Sequence, residues 1–166
     1  MTLVLVGPMG AGKTTVATLL AQAAGQRVRD TDADVEAAAG RSVSDIFVDS
    51  GEQAFRALER EAVAAALAEH EGPLSLGGGA VLDPATRELL AGEQHTVVFL
   101  RVGLSEAVKR VGLGVGRPLL LGNVRARIKA LLDERTPVYE SVADLVVDTD
   151  GRTPDEVAAE IRKALP

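Results

Sequence analysis

The chain has 166 residues, and its 18 basic and 24 acidic side chains give a formal net charge of −6. Hydrophobic residues make up 46% of the sequence, aromatic residues only 2%, and cysteine is absent, which excludes disulfides, thiolate metal sites and a thiol nucleophile. The length predicts a single domain over residues 1–166, while the acidity, the scarce aromatics and the lack of any run of about 20 apolar residues argue against nucleic-acid binding and a membrane span.

The hydrophobic pattern alternates short strand-like runs with longer helical segments, which predicts βα units around a parallel sheet. The first strand, residues 2–6, runs into a glycine loop, and the helix after it, residues 13–24, ends at Gly25. A second strand is predicted at residues 27–30, although Arg29 is unusual in a strand covered on both faces.

The next segment is predicted to be helical. A helix over residues 32–39 is followed by Ser42 and Asp45, which form the capping pair of a short helix. Ser50 and Gln53 predict a second capping box, so a separate and longer helix should begin there. Its apolar face carries residues at helical spacing: Phe55, Leu58, Ala62, Val63 and Ala66.

The rest of the chain repeats this alternation. Strands are predicted at residues 73–76, 96–100 and 145–147. Helices are predicted to start at Pro84, to span residues 104–111 and 125–134, and to close the chain after a capping box at residues 153–156. A glycine-rich loop, residues 112–122, separates the two middle helices.

Residues 7–14, Gly-Pro-Met-Gly-Ala-Gly-Lys-Thr, match the phosphate-binding pattern G-x-x-x-x-G-K-[ST]. Glycines let backbone N–H groups face an anion, and the helix that follows adds its positive end. Lys13 is placed to reach the β- and γ-phosphates, and Thr14 to bind Mg²⁺. A chance match in a glycine-rich turn is the alternative, but the strand before and the helix after the motif favour a nucleoside triphosphate site.

Two further segments are predicted to end strands at the same edge of the sheet. At strand spacing Asp30 and Asp32 share a face, so one carboxylate could organise Mg²⁺ while the other takes the proton of an acceptor hydroxyl. Either aspartate could instead cap the following helix. Gly77, Gly78 and Gly79 either expose backbone to a small substrate or form an ordinary tight turn.

Three arginines are candidates for binding anions. Arg56 flanks the apolar face of its helix, and Arg135 is predicted to end a helix just before Thr136-Pro137. Taken alone, each is more typical of a solvated charge. Arg117 lies in the glycine-rich loop, which is either a lid that brings a cation onto the transferring phosphoryl group or an ordinary flexible loop.

In order and spacing, these motifs closely resemble shikimate kinase across essentially the whole chain. The segments that carry the resemblance are the phosphate loop, residues 30–32 (DTD), 51–56 (GEQAFR), 75–80 (SLGGGA), 117–119 (RPL) and 135–139 (RTPVY). The resemblance implies a three-layer α/β P-loop kinase fold with a five-stranded parallel sheet, a shikimate-binding helical region at residues 31–72 and a lid at residues 112–122. It also implies transfer of the ATP γ-phosphate to the 3-hydroxyl of shikimate, in chorismate and aromatic amino-acid biosynthesis.

The resemblance further implies the roles of individual residues. Lys13, Asp32 and Arg117 would be catalytic, with Asp32 as the base, while Thr14 and, through water, Asp30 would hold Mg²⁺. The residues that would bind ATP are Gly10, Ala11, Gly12, Lys13, Thr14, Thr15, Arg110, Arg117 and Arg152. The residues that would bind shikimate are Asp32, Phe47, Phe55, Arg56, Gly77, Gly78, Gly79 and Arg135.

Other functions fit parts of the same sequence. Nucleotide kinases share the phosphate loop, and gluconate kinase also takes a small acidic polyol, but the Asp-Thr-Asp and triple-glycine combination favours shikimate. A nucleotide-binding regulator that has lost catalysis is the non-enzymatic alternative, and the presence of Lys13, Asp32 and Arg117 argues against it. We expect a cytoplasmic monomer that binds ATP, Mg²⁺ and shikimate, without nucleic-acid or membrane partners.

Overall fold

The computed structural model describes residues 2–112 and 124–166. Five parallel strands form one sheet in the order β2-β3-β1-β4-β5: β1 Thr2–Val6, β2 Arg29–Asp30, β3 Gly72–Ser75, β4 His95–Arg101 and β5 Leu145–Asp148. The helices of the described ranges are α1 Lys13–Ala24, α2 Thr31–Ala39, α3 Val43–Glu69, α4 Pro84–Leu90, α5 Leu104–Gly112, α6 Val124–Val142 and α7 Pro154–Ala164, with a 3₁₀ turn at Ala80–Leu82. No helix in these ranges has the length and apolar character needed to cross a membrane.

The two central strands supply both apolar layers of the core, because successive side chains of a strand point to opposite faces. Leu5 and Val98 pack in the layer that contains buried residues of α1, α5 and α7. Val4 and Phe99 pack in the other layer, with buried residues of α3, α4 and α6. The sheet is therefore covered by helices on both faces, and the carboxyl ends of its strands lie along one edge.

The predicted strands are all present, but the second is shorter than predicted. β2 has two residues instead of four and lies at the edge of the sheet, so Arg29 is not enclosed on both faces. Its guanidinium pairs with Asp34 of α2 at 2.7 Å and with Glu69 at the end of α3 at 3.1 Å. Arg29, an unusual residue for a strand, therefore connects the edge strand β2 to α2 and α3.

The two helices predicted on either side of residue 50 form one element with a kink. Gly51 has φ 86° and ψ 171° inside α3, a backbone conformation that glycine adopts without steric cost. Ser42 caps the helix as predicted, accepting a hydrogen bond from Asp45 N at 3.1 Å. The predicted capping box at Ser50 is wrong: among the described residues its Oγ accepts from the Arg41 guanidinium and not from Gln53, and Gly51 directly after it is non-helical.

The prediction that Arg135 ends a helix is also wrong, because α6 continues to Val142. Pro137 lies inside α6, where it removes one backbone hydrogen bond and normally costs about 3 kcal/mol. Packing offsets this cost, since Tyr139 is completely buried with its ring centroid 5.0 Å from that of Phe99. Arg135 and Tyr139 therefore lie one turn apart on a continuous helix.

Candidate functional site

The phosphate loop joins β1 to α1, and its glycines are required by its conformation. Gly10 and Gly12 have φ of 85° and 90°, which side-chain-bearing residues adopt only with strain. A Cβ on Gly7 would lie 2.7 Å from the carbonyl oxygen of Leu100. Because Gly12 caps α1 without a side chain, the N–H groups of residues 13–15 have no partner within the helix. The loop therefore has the form of an anion-binding cradle.

The Lys13 ammonium lies across this loop. Its Nζ donates hydrogen bonds to the carbonyl oxygens of Gly7 at 2.7 Å and Pro8 at 3.0 Å. Burial lowers the pKa of Lys13 to about 8, although the nearby Asp32 and Asp30 carboxylates act in the opposite direction. Below that pH the cradle holds a fixed positive charge. Among the other residues predicted to bind ATP in this segment, Ala11 is buried and both Thr14 and Thr15 are exposed.

Asp30 links the phosphate loop to α2. Its Oδ2 accepts a hydrogen bond from Thr14 Oγ1 at 2.8 Å, and its Oδ1 caps α2 by accepting from the backbone N–H groups of Asp32 at 2.8 Å and Ala33 at 3.3 Å. The strand spacing predicted for the two aspartates is therefore wrong, and the capping alternative holds for Asp30. Burial, reinforced by the Asp30 charge, raises the pKa of Asp32 above its ordinary value.

Thr14 and Asp30 are the residues of this edge that fit a magnesium ion. Hydroxyl and carboxylate oxygens are the hard donors that Mg²⁺ prefers, and the ion usually takes one or two of them from the protein. No cluster of three or more His, Asp or Glu residues within residues 2–112 and 124–166 could hold a metal by itself. A metal ion at Thr14 and Asp30 would therefore need water or phosphate oxygens to complete its shell.

The glycine run after β3 lets charged groups pack directly against the backbone. A Cβ on Gly77 would lie 2.7 Å from Asp32 Oδ1 and 2.9 Å from Glu59 Oε2. A Cβ on Gly79 would lie 2.5 Å from Arg56 Nη2. These contacts place two carboxylates and a guanidinium around a segment of a few residues, so the run is more than a tight turn.

Glu59 belongs to this cluster and was not predicted. It is 3% exposed, and its Oε1 accepts a hydrogen bond from Arg56 Nη1 at 2.7 Å. Burial raises the pKa of Glu59, while the Arg56 guanidinium acts to lower it. The sequence did contain a signal, because Glu59 lies four residues after Phe55 and four before Val63 on the apolar face of its helix, where an acidic side chain is rarely left unpaired.

Two phenylalanines lie beside Arg56. The rings of Phe47 and Phe55 have their centroids 4.7 Å apart, and the Arg56 guanidinium carbon is 5.3 Å from the centroid of Phe55. Phe55 is buried, whereas Phe47 is 38% exposed. The two residues come from opposite sides of the kink at Gly51, so the kink brings together the aromatic pair that the sequence resemblance assigned to a pocket wall.

Arg135 approaches the glycine run from α6. Its Nη1 lies 3.6 Å from the position a Cβ would take on Gly78. Its Nε is buried and has no hydrogen-bond partner among the residues that the structure describes. A buried donor without a partner costs free energy, so this guanidinium is suited to an anionic ligand.

Arg110 contacts the phosphate loop directly. Its Nη1 donates hydrogen bonds to the carbonyl oxygen of Gly10 at 3.0 Å and to Thr149 Oγ1 at 3.2 Å, and Glu106 pairs with its Nε at 3.2 Å. The guanidinium thus joins α5, the phosphate loop and the segment after β5. This agrees with its predicted place at the nucleotide end of the site.

The described contacts of Arg152 lie outside this cluster, and Arg117 is not among the described residues. Arg152 donates to the carbonyl oxygen of Asp148 at 3.0 Å and pairs with Glu160 of α7 at 3.1 Å. Arg117, and with it the predicted lid beyond Gly112, lies outside the described residues. The site defined by contacts therefore comprises the phosphate loop, Asp30, Asp32, Arg56, Glu59, residues 77–79, Arg110 and Arg135.

Comparison with known proteins agrees with this geometry. The sequence model of the family described as shikimate kinase matches residues 9–166. The chain belongs to the shikimate kinase family. Curated shikimate kinases of Thermobifida fusca and Salinispora arenicola are 59% and 60% identical to it, over 98% of this chain and 94% and 96% of their own lengths.

Solved structures of the shikimate kinase family share the fold. The shikimate kinase from Acinetobacter baumannii in complex with shikimate has a TM-score of 0.87 at 32% identity, covering 98% of this chain and 91% of that chain. The shikimate kinase from Aquifex aeolicus has a TM-score of 0.86 at 30% identity, covering 99% and 95%. The predicted family and three-layer kinase fold are confirmed.

Proposed function

We propose that this protein transfers the γ-phosphoryl group of ATP to the 3-hydroxyl of shikimate, giving shikimate 3-phosphate and ADP. The observation that carries the proposal is the meeting of a phosphate loop, the half-buried Asp32 carboxylate and two guanidinium groups around residues 77–79. An acceptor with both a hydroxyl to be phosphorylated and a carboxylate to be held fits this set. Family membership and the shikimate complex of the Acinetobacter baumannii relative support the same acceptor.

Arg56 and Arg135 would hold the carboxylate of shikimate. Glu59 fixes the Arg56 guanidinium at 2.7 Å, and the Nε of Arg135 lacks a protein partner within the described ranges. Paired guanidinium–carboxylate hydrogen bonds fix orientation as well as add affinity. Phe47 and Phe55 would cover the apolar side of the ring, in the helical region at residues 31–72 that we propose binds shikimate.

Asp32 would accept the proton of the 3-hydroxyl. Its pKa is raised by burial, which makes its carboxylate a stronger base than that of an ordinary aspartate. Lys13 would bind the phosphate oxygens on which negative charge develops during transfer. Since phosphoryl transfer passes through a loose transition state, positioning and charge stabilisation by such groups account for most of the catalysis.

The remaining groups would act on the nucleotide. Thr14 and, through water, Asp30 would hold Mg²⁺, which when bound neutralises phosphate charge. Arg110 and Arg152 would flank the adenine, and Arg117, in the proposed lid, would contact the transferring phosphoryl group. We propose that the protein works as a monomer in the cytoplasm, a reducing compartment that suits a sequence without cysteine.

The acceptor is tested by measuring ADP release with Mg²⁺ and ATP and one of three acceptors: shikimate, gluconate or nucleoside monophosphates. We expect turnover with shikimate to exceed that with each other acceptor by at least ~100-fold, because only shikimate combines a ring hydroxyl with a carboxylate at the spacing that the family recognises. Faster turnover of another acceptor would disprove the proposed function. ATP binding without turnover of any acceptor would point to the regulator alternative.

The pH dependence of ATP use should report Lys13. Its ammonium is the form that attracts phosphate, and it is lost as pH rises through the pKa of about 8. We therefore expect kcat/KM for ATP, which reflects groups of the free enzyme, to fall about tenfold per pH unit above pH 8. In Lys13→Arg the guanidinium does not titrate, so any residual activity should lose this alkaline limb. A wild-type profile that stays flat to about pH 10 contradicts the assignment.

A further inference from the structure

We infer that the Tyr139 hydroxyl is a positioning group that sets residues 77–79 for the acceptor; the inference rests on the proposed function. Tyr139 is the only tyrosine of the chain and is completely buried. Its Oη donates a hydrogen bond to the carbonyl oxygen of Gly78 at 2.5 Å. The Tyr139 ring therefore packs in the core, while its hydroxyl reaches residues 77–79, against which the charged side chains pack.

The position of this hydroxyl is fixed by the helix and by the core. Tyr139 lies one turn after Arg135, so both side chains face Gly78 from the same side of α6. Its ring packs at 5.0 Å from the ring of Phe99 in the central strand β4. Burial raises the pKa of Tyr139, while the Arg135 charge and a hydrogen bond from the Arg135 side chain to the Tyr139 oxygen act in the opposite direction, so the hydroxyl remains a donor throughout the neutral range.

The hydrogen bond controls the orientation of one peptide group. The Gly78 carbonyl and the Gly79 N–H belong to the same trans peptide and point in opposite directions. Holding the carbonyl on α6 therefore turns the Gly79 N–H away from α6. The backbone hydrogen bond from Ala80 N to Gly77 O at 3.1 Å closes a turn over residues 77–80, and the peptide between Gly78 and Gly79 is the central one of this turn, where glycine permits either orientation.

Gly78 also lies against the phosphate loop. The position that a Cβ would take on Gly78 is 3.6 Å from Arg135 Nη1, from the carbonyl oxygen of Gly7 and from the backbone nitrogen of Met9. Tyr139 therefore holds Gly78 at the point where the acceptor-binding groups meet the donor-binding loop. A shift of this peptide would change the distance between the two substrates, and such misplacement slows transfer.

Replacement of Tyr139 by phenylalanine removes the hydroxyl and keeps the ring. We expect Tyr139→Phe to raise the KM for shikimate about tenfold while the KM for ATP stays within about twofold, because the Gly78 carbonyl loses its donor. The matched control is Val138→Ala, which loosens the same helix and core layer without touching Gly78. It should lower the melting temperature and leave the KM for shikimate unchanged. An equal rise of KM in both variants, or no rise in Tyr139→Phe, overturns the inference.

A second measurement uses the wild-type sequence and needs no substitution. Since Tyr139 is the sole tyrosine, growth on 3-fluorotyrosine introduces a single ¹⁹F label at this position. We expect shikimate alone to shift the ¹⁹F resonance, because binding around Gly78 changes the hydrogen bond of the hydroxyl. An unchanged resonance with saturating shikimate overturns the inference. If the wild-type protein does not phosphorylate shikimate, the proposed function itself fails, which is a distinct outcome.

Discussion

Replacement of Asp32 by asparagine is expected to lower kcat by at least ~100-fold while leaving the Kd for ATP nearly unchanged. General-base catalysis of this kind contributes about 10²- to 10⁴-fold, and an amide cannot accept the proton of the acceptor hydroxyl. The fold should survive, because Asp32 contributes its backbone N–H to the cap of α2, and this group is the same in asparagine. Single-turnover ADP formation and calorimetric titration with ATP measure the two quantities separately.

Asp34→Asn is the matched control for this experiment. Asp34 lies on the same helix, but its carboxylate pairs with Arg29 at 2.7 Å, outside the proposed site. The control should retain kcat within about twofold and lose at most about 1 kcal/mol of stability, as is usual for partly exposed ion pairs. If Asp32→Asn turns over at a rate within about threefold of the wild type, Asp32 is not the base.

Replacement of Gly79 by alanine should weaken acceptor binding and cost some stability, because the displaced Arg56 is also the partner of the buried Glu59. Gly79 has φ −100° and ψ 0°, so its backbone accepts an ordinary residue. The added Cβ would lie 2.5 Å from Arg56 Nη2, and the guanidinium is the part that must move. Loss of a charge-assisted hydrogen bond costs about 1.5–3 kcal/mol, so we expect the KM for shikimate to rise roughly 10- to 100-fold. The KM for ATP should stay near that of the wild type.

Gly92→Ala provides the comparison for the effect of a methyl group alone. A Cβ there would lie 3.5 Å from the carbonyl oxygen of Leu89, an ordinary van der Waals contact, and the position is remote from the site. Steady-state kinetics with shikimate and a thermal melt of both variants complete the experiment. If Gly79→Ala binds shikimate as tightly as Gly92→Ala does, the placement of Arg56 against this backbone has no role in acceptor binding.

The nucleotide end of the site was the part most readily predicted from sequence. The phosphate loop requires glycines at fixed positions, since its backbone must curl around an anion, and the spacing of the motif therefore encodes its geometry. The same holds for the helix starts at Pro84 and Pro154, where the caps Asp83 and Thr153 bind backbone groups two or three positions further along the chain. These features could be predicted from the sequence because the residues that form each of them are close together along the chain.

The acceptor end depends on contacts between distant segments, and there the predictions were less complete. The spacing of Asp30 and Asp32 fits either the end of a strand or the start of a helix. The hydrogen bonds that stabilise the helix start are made by the Asp30 side chain. The local cost of proline predicts a helix end before Pro137, because that cost does not include the burial of Tyr139 against a strand that is remote in sequence. The position of Glu59 on an apolar helix face was a signal in the sequence, but its contact with Gly77 exists only in the folded chain.

The dual role of Asp30 constrains how this protein can change through mutation. One oxygen of the carboxylate caps the helix that carries Asp32, and the other meets Thr14 of the phosphate loop. Asparagine would preserve the cap, since it is as good an N-cap as aspartate, but it would remove the negative charge facing the proposed metal position. Alanine would remove both functions in a single step. A substitution at position 30 that keeps an N-cap side chain, such as asparagine, would therefore lose only the metal-facing charge, whereas an apolar substitution would also have to be compensated by another source of stability for α2.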